Sequence, residues 1–120
     1  YPNPYATLKM TFDFFPVRKA MYSYACLAAI AVPGGLGTLD ELFTLATLRK
    51  TGGLAKIPVY LYGSEFWEGM LRWMRETLVP LGTITMEDVE AFKVFDDNDV
   101  LVCDLSEECR KISKKDLARL

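Results

Sequence analysis

Apolar residues along the chain form two kinds of pattern, which predict strands and helices in alternation. Residues 27–32 and 57–62 are almost continuously apolar, as expected of parallel strands that are buried on both faces. Pro58 is compatible with the second strand because it lies near the strand's start. Residues 8–12 alternate between apolar and polar types, which predicts a shorter strand, and Pro16 suits the first turn of a helix over 16–24.

Helical spacing of apolar residues follows both continuous runs. The spacing first covers residues 38–50, and Thr51 with the two glycines after it is expected to end this helix. The spacing resumes after Ser64, a residue suited to cap a second helix. The side chains predicted to face the core on this second helix are Phe66, Met70, Met74 and Leu78, with Trp67 and Trp73 also expected in the core. Each predicted strand is therefore followed by a helix.

The C-terminal third carries shorter signals. Thr85 and Asp88 have the spacing of a capping box, which predicts a short helix through Phe92. Residues 94–95 and 100–102 are predicted to be brief extended pieces.

Acidic residues surround the predicted start of the last helix. Asp104 with Glu107 is expected to open it, as an amphipathic helix. The run 96–99 lacks the spaced ligands, central glycine and closing glutamate of a calcium loop, so we expect a turn there.

Strand and helix alternation of this kind is typical of α/β proteins with a Rossmann-like, doubly wound parallel sheet. Three strands are well supported and a fourth is weak, whereas such sheets usually carry five or six. The sequence begins at Tyr1, without methionine, in a segment that has the composition of a loop. We therefore expect residues 1–120 to be the C-terminal part of a larger α/β domain.

Composition excludes several classes of protein. The 120 residues are 51% hydrophobic and 25% charged, which excludes a disordered chain. Fourteen Lys and Arg against sixteen Asp and Glu give a net charge of −2, which does not supply the basic surface of a nucleic-acid-binding protein. No apolar run approaches the ~20 residues of a membrane helix. We expect a cytoplasmic protein with neither nucleic acid nor membrane as a partner.

The sequence contains no histidine. This excludes nucleophiles paired with histidine, a histidine general base and His-ligated metals. Cys26, Cys103 and Cys109 are odd in number and include no Cys-x-x-Cys pair, which favours free thiols in a reducing compartment. We predict neither a metal ion nor a cofactor.

The segment with the clearest chemistry is residues 33–41, Pro-Gly-Gly-Leu-Gly-Thr-Leu-Asp-Glu, which we call the glycine segment. Its glycines allow a ligand to approach main-chain N–H groups closely, and the helix that follows offers unpaired N–H groups and a partial positive charge. It therefore predicts an anion site, suited to phosphate, at the carboxyl end of a strand. The alternative is a tight turn in which Thr38 and Glu41 form a capping box.

Other phosphate-binding motifs do not match. The glycine segment has no Gly-Lys-Ser/Thr, and its spacing is not Gly-x-Gly-x-x-Gly.

Pro-Gly-Gly-x-Gly-Thr-x-x-Glu, preceded by Arg18 and Lys19, resembles the LONELY GUY family of cytokinin riboside 5′-monophosphate phosphoribohydrolases, many of which are labelled lysine decarboxylase-like. Arg18 precedes Glu41 by 41 − 18 = 23 positions, the spacing of the family. The resemblance extends from residue 11 to about residue 102. It implies that the chain is part of a single nucleotide-binding domain with a Rossmann-like fold.

The resemblance implies hydrolysis of the N-glycosidic bond of a purine riboside 5′-monophosphate, which releases free base and ribose 5-phosphate. It implies catalytic roles for Arg18 and Glu41. The residues that it places against the substrate are Arg18, Lys19, Gly34, Gly35, Leu36, Gly37, Thr38, Leu39, Asp40 and Thr47. Just before Arg18, short plant-type members carry Met-His where this chain has Phe15-Pro16-Val17, which favours plain AMP over a cytokinin nucleotide.

The residue types suit this reaction. Breaking the bond passes through a cation-like sugar, which a nearby carboxylate stabilises while it positions or deprotonates water. Glu41 is expected in the first helical turn, where the helix N-terminus favours its ionised form. Arg18 is expected to hold the phosphate or orient the carboxylate with its bidentate fork. The alternative for Thr47 is a hydroxyl bonded to the preceding turn.

Two other functions stay open. One is a non-catalytic carrier of a nucleotide or of molybdenum cofactor, since such carriers resemble the same fold and glycine segment. The other is a true lysine decarboxylase, which is disfavoured because no lysine site for pyridoxal phosphate is recognisable and no histidine is present to stack on its ring. The resemblance also implies a homodimer or an assembly of dimers, and our hypothesis for the contact is the helix that bears Phe66, Trp67, Met70 and Trp73.

Overall fold

The structure is a computed structural model, which describes residues 4–7, 11, 13, 14, 16, 17, 19, 26–51 and 57–117, with side chains of the last helix described up to residue 111. The strand predicted over 8–12 lies outside the described residues except for Thr11. Of the helix predicted over 16–24, the described residues Pro16, Val17 and Lys19 are helical.

Three parallel strands form the sheet of the described chain. They are β1 (Ala29–Ala31), β2 (Val59–Tyr62) and β3 (Phe92–Phe95), in the order β1-β2-β3. Ala29 pairs with Val59, which in turn pairs with Phe92. Sequential parallel strands require crossovers, and helices supply them. The α/β prediction is therefore confirmed.

In the part of the chain that the structure describes, four α-helices connect and follow the strands. These are α1 (Leu36–Lys50), α2 (Ser64–Trp73), α3 (Met86–Glu90) and α4 (Asn98–Leu117). Helix α2 continues into a π-helical turn, Met74–Leu78, in which the Val79 N–H donates to the Met74 carbonyl at 3.0 Å. None of the helices that the structure describes combines the length and the apolarity that a bilayer span requires.

The core lies between one face of the sheet and helices α1 and α2. Val59 and Leu61 point to this face and are 1% and 0% exposed. They belong to one buried cluster with Leu42 of α1 and Trp67, Leu71 and Met74 of α2, together with Val89 and Phe92. The alternation of side chains along β2 sends Tyr60 to the opposite face.

That opposite face packs on α4 through a polar network. The hydroxyl of Tyr60, which is 0% exposed, donates to Asp104 Oδ2 at 2.7 Å, and Lys93 Nζ lies 3.0 Å from the same oxygen. Burial, and then the contact with Asp104, raises the pKa of Tyr60 above its ordinary value. The hydrogen bonds from Tyr60 and Lys93 hold the pKa of Asp104 below its usual range. Helices thus cover both faces of the sheet, as in a doubly wound fold.

The prediction of full burial for residues 27–32 was wrong. Strand β1 is shorter, Ala29–Ala31, and Leu27, Ile30 and Val32 are all about half exposed or more. Among the described strands, β1 has one neighbour, β2, so the number of partners and not the apolar run sets its burial.

The inner face of α2 also differs from the prediction. Trp67, Leu71 and Met74 are buried, whereas Phe66 and Trp73 are 48% and 52% exposed. The stripe that faces the buried cluster runs through Trp67, Leu71 and Met74, and Phe66 lies about 100° around the helix axis from Trp67. The start of the helix differs as well. Gly63, with φ +96°, is the N-cap, so Ser64 is the first helical residue rather than the cap. Of the residues proposed for a subunit contact, Trp67 is therefore buried within the chain.

The C-terminal elements were predicted in part. The capping box of Thr85 and Asp88 is confirmed, because the Asp88 N–H donates to Thr85 Oγ1 and the Thr85 N–H donates to Asp88 Oδ2. Helix α3 ends at Glu90, because Phe92 begins β3 and pairs with β2.

Residues 100–102 are helical, not extended, and the last helix begins at Asn98 instead of Asp104. Asp97 accepts hydrogen bonds from the N–H groups of Asp99 and Val100 at 2.8 and 3.1 Å, which supplies the start that the sequence pattern did not show. The described residues contain no group of three or more His, Cys, Asp or Glu side chains that could hold a metal ion.

Candidate functional site

The glycine segment leaves the carboxyl end of β1 and enters α1. Gly35 is the N-cap, with extended φ −97° and ψ −154°, and the helix begins at Leu36. The start is two residues earlier than predicted, so Thr38 is the third helical residue and Glu41 the sixth. A capping box of Thr38 and Glu41 is therefore wrong, and so is the placement of Glu41 in the first turn.

The N-terminus of α1 is open. The Leu39 N–H donates to the Gly35 carbonyl at 3.1 Å, so the three preceding helical N–H groups have no partner in their own helix. No side chain in the described part of the chain caps this end, and Leu36 is 86% exposed. Unpaired N–H groups with the positive end of a helix dipole form a site for an anion.

The three glycines of the segment serve different purposes. A Cβ on Gly34 would lie 2.9 Å from Thr38 Cβ and closer still to Thr38 Oγ1, so packing requires glycine there. A Cβ on Gly35 or Gly37 would meet no described atom within 4 Å beyond the helix's own backbone. Neither residue has a positive φ. Local folding therefore does not require glycine at 35 and 37, and both leave open space at the helix N-terminus.

Lys19, the second residue of the predicted Arg-Lys pair, contacts this site. Its Nζ lies 2.7 Å from Asp40 Oδ1, and the two side chains are 21% and 52% exposed. The ion pair holds Lys19 against the second turn of α1. Arg18, the predicted catalytic partner, lies outside the described residues.

Glu41 and Thr47 lie on different sides of α1. Six residues at about 100° each separate them by about 120° around the helix axis. The Thr47 hydroxyl donates to the Phe43 carbonyl at 2.8 Å, which is the bond to the preceding turn that the alternative prediction named. Asp40 and Thr47 share one face instead, where they line a shallow depression with Phe43 and Thr44. Glu41 is half-buried, beyond the first turn, where the effect of the helix dipole has declined.

The neighbouring connection from β2 to α2 was missed by the sequence patterns. Gly63 and Ser64, which we call the 63–64 turn, lie at the same edge of the sheet, and a Cβ on Gly63 would be 3.5 Å from Pro33 Cγ. The Ser64 N–H donates to Asp96 Oδ1 at 2.7 Å. Hydrogen bonding from the backbone and then the side chain of Ser64 holds the pKa of Asp96 below its usual range. The sequence signal that could have indicated this contact was an aspartate directly after a strand.

A cavity of about 570 Å3 lies at the opposite end of the strands. Val59 and Phe92, the first residues of β2 and β3, line it, as do residues from the C-terminal turns of α1. At its rim Lys50 Nζ lies 2.7 Å from Asp88 Oδ2, and this hydrogen bond is the main reason that the pKa of Asp88 is lowered. Ligands of open α/β sheets bind at the carboxyl ends of strands, so the glycine segment is the better candidate.

Parallel strands, helices on both faces and a glycine turn at a strand's carboxyl end define a partial Rossmann-like domain. The family model described as "Possible lysine decarboxylase" matches residues 1–105. The chain therefore belongs to this family, whose domain is that of the LONELY GUY proteins. No curated protein matches the chain.

Proposed function

We propose that this protein hydrolyses the N-glycosidic bond of a purine nucleoside 5′-monophosphate, with AMP as the first substrate to test. The observation that carries the proposal is the open N-terminus of α1, where Gly35 and Gly37 leave space over unpaired N–H groups. A phosphate dianion fits this arrangement because it offers several strong acceptors and a negative charge. Membership of the LONELY GUY domain family supports it.

Glu41 is the carboxylate that we assign to the sugar. It lies five residues beyond Leu36, about 7.5 Å along the helix axis, a length similar to that of ribose 5-phosphate. In the proposed reaction, water adds to C1′ as the bond to the purine nitrogen breaks. Glu41 stabilises the cation-like sugar and takes one proton of the water, while the leaving purine nitrogen takes a proton from solvent, to which Glu41 later returns its own. The products are free base and ribose 5-phosphate.

The Arg-Lys pair completes the proposed site. Lys19 lies beside α1 through its ion pair with Asp40, and we assign its ammonium group to the bound substrate. We assign Arg18 to the phosphate or to Glu41, because its planar fork binds either group with two hydrogen bonds.

The lysine decarboxylase named in the family description fits this chain poorly. Pyridoxal phosphate requires a lysine free to form a Schiff base. Among the described side chains, Lys19, Lys50, Lys93 and Lys111 each form an ion pair with a carboxylate at 2.7 to 3.0 Å. A carboxylate thus lies against each of these amines, at the atom that would have to form the Schiff base.

Incubation of the protein with AMP, followed by chromatography for adenine, tests the proposal. Glu41→Gln keeps the size of the side chain but removes its charge and basicity. We expect loss of turnover by about 10²-fold or more, with AMP binding retained. Glu76→Gln is the matched control, because Glu76 is an exposed glutamate on the π-helical turn, and it should leave turnover unchanged.

Two outcomes would contradict this assignment. Adenine release by Glu41→Gln at the wild-type rate would exclude Glu41 from catalysis. Nucleotide or molybdenum-cofactor binding by the wild type without any adenine release would instead favour a carrier.

A further inference from the structure

The 63–64 turn is held in place from three directions. The Gly63 N–H donates to the Phe95 carbonyl at 2.9 Å, and the indole N–H of Trp67 donates to the Tyr62 carbonyl at 3.1 Å. The third bond is that of the Ser64 N–H to Asp96 Oδ1 at 2.7 Å. Two of these three bonds come from the end of β3, so the last residues of that strand determine where the turn lies.

Asp96 makes the one charged contact among the three. Its carboxylate binds the first N–H of α2, where the partial positive charge of a helix is concentrated. The lowered pKa of Asp96 agrees with a carboxylate that is held in this contact. Gly63 itself has φ +96°, a conformation that other residues rarely adopt and that glycine adopts without strain, so the shape of the turn depends on glycine at this position.

The turn lies beside the glycine segment. A Cβ built on Gly63 would be 3.5 Å from Pro33 Cγ and 3.9 Å from Pro33 Cδ, so the gap between Gly63 and the proline ring has about the width of one methyl group. Pro33 precedes Gly34 and the N-cap Gly35, and its ring fixes its own φ. A shift of the turn toward Pro33 would therefore close this gap and press on the ring that leads the backbone into α1.

We infer that Asp96 is a positioning residue for the phosphate site: through Ser64 it keeps Gly63 in its place beside Pro33, so that the turn does not displace Pro33 and the N–H groups that open α1. This inference rests on the proposed function for the position of the ligand. It adds a residue of β3's end, distant in sequence from the glycine segment, to the groups on which nucleotide affinity depends.

Asp96→Ala tests this inference, with Asp97→Ala as the matched control. The two residues are neighbours, both exposed and both helix caps, but Asp97 caps α4 through Asp99 and Val100. Each change should lower stability by a similar amount. We expect only Asp96→Ala to raise the KM and the Kd for AMP, by about 10- to 100-fold, as for the loss of one hydrogen bond to a charged group, with a smaller change in kcat. Asp96→Asn keeps an oxygen acceptor and should restore most of the affinity.

Kd for AMP is measured by calorimetry on the same folded samples that are assayed for adenine. Equal changes of Kd in Asp96→Ala and Asp97→Ala would overturn the inference, since Asp96 would then be a structural cap only. Wild-type protein that binds AMP but releases no adenine would overturn the proposed reaction, while the Kd comparison would still decide the role of Asp96. Wild-type protein that neither binds AMP nor releases adenine would overturn both the role of Asp96 and the proposed reaction.

Discussion

The space at Gly37 leads to a prediction in which stability and binding change in opposite directions. Gly37 is the second residue of α1, and a Cβ there meets no described atom within 4 Å beyond the helix's own backbone. Replacement of a helical glycine by alanine removes freedom from the unfolded chain and stabilises a helix by about 0.5–1 kcal/mol. We therefore expect Gly37→Ala to raise the melting temperature by about 4 °C.

The same substitution should weaken nucleotide binding. Cα–Cβ bonds of a helix tilt toward its N-terminus, so the methyl group introduced by Gly37→Ala would project into the space that the proposed phosphate occupies. Loss of a hydrogen bond between an N–H and a charged group costs about 1.5–3 kcal/mol. This corresponds to a Kd for AMP that is about 10- to 150-fold higher.

Gly69→Ala is the matched control for this variant. Gly69 lies within α2, is exposed, and would also present a Cβ to open space. It should give a similar gain in melting temperature and no change in Kd. Calorimetric titration with AMP and thermal unfolding by circular dichroism measure both quantities. A Gly37→Ala protein with wild-type affinity would refute the placement of the phosphate at this helix end.

Two further predictions concern the polar contacts of the fold. Tyr60→Phe removes the hydrogen bond that the fully buried Tyr60 donates to the charged Asp104. The free energy of unfolding, measured in urea, should fall by about 1.5 kcal/mol. An unchanged free energy of unfolding would show that Lys93 alone satisfies Asp104. The pKa of Asp88 is lowered in the folded state, chiefly by Lys50. The ionised Asp88 therefore stabilises the folded protein fully above its unfolded pKa of about 4, and this stabilisation is lost as the pH falls through the lower pKa of the folded state. The free energy of unfolding should therefore fall less between about pH 5 and pH 2 in Lys50→Met than in the wild type. An equal fall in the two proteins would contradict this prediction.

Local patterns were sufficient for several features of the fold. The continuous apolar run before Tyr62 predicted the central strand, because a strand covered on both faces needs apolar side chains on both. The capping box at Thr85 was predictable since its partners lie three residues apart. The glycine segment between a strand and a helix was recognisable for the same reason, as all its parts are adjacent in sequence.

Other features depended on contacts between distant segments. The exposure of Ile30 follows from the single described neighbour of β1, which an apolar run does not encode. Residues 100–102 have extended propensity, yet they are helical, and Leu101 is buried against the rest of the fold. Propensity is a weak preference that such tertiary contacts override.

Asp96 and Asp97 show most clearly which features follow from the sequence and which follow from the tertiary structure. The sequence by itself determined that an acidic run follows the strand, and that carboxylates there suit turns and helix starts. Only the tertiary structure decided that Asp97 caps its own helix while Asp96 caps α2, 32 residues earlier in the chain. The physical reason is that parallel strands bring their carboxyl ends to one edge, where residues remote in sequence become neighbours.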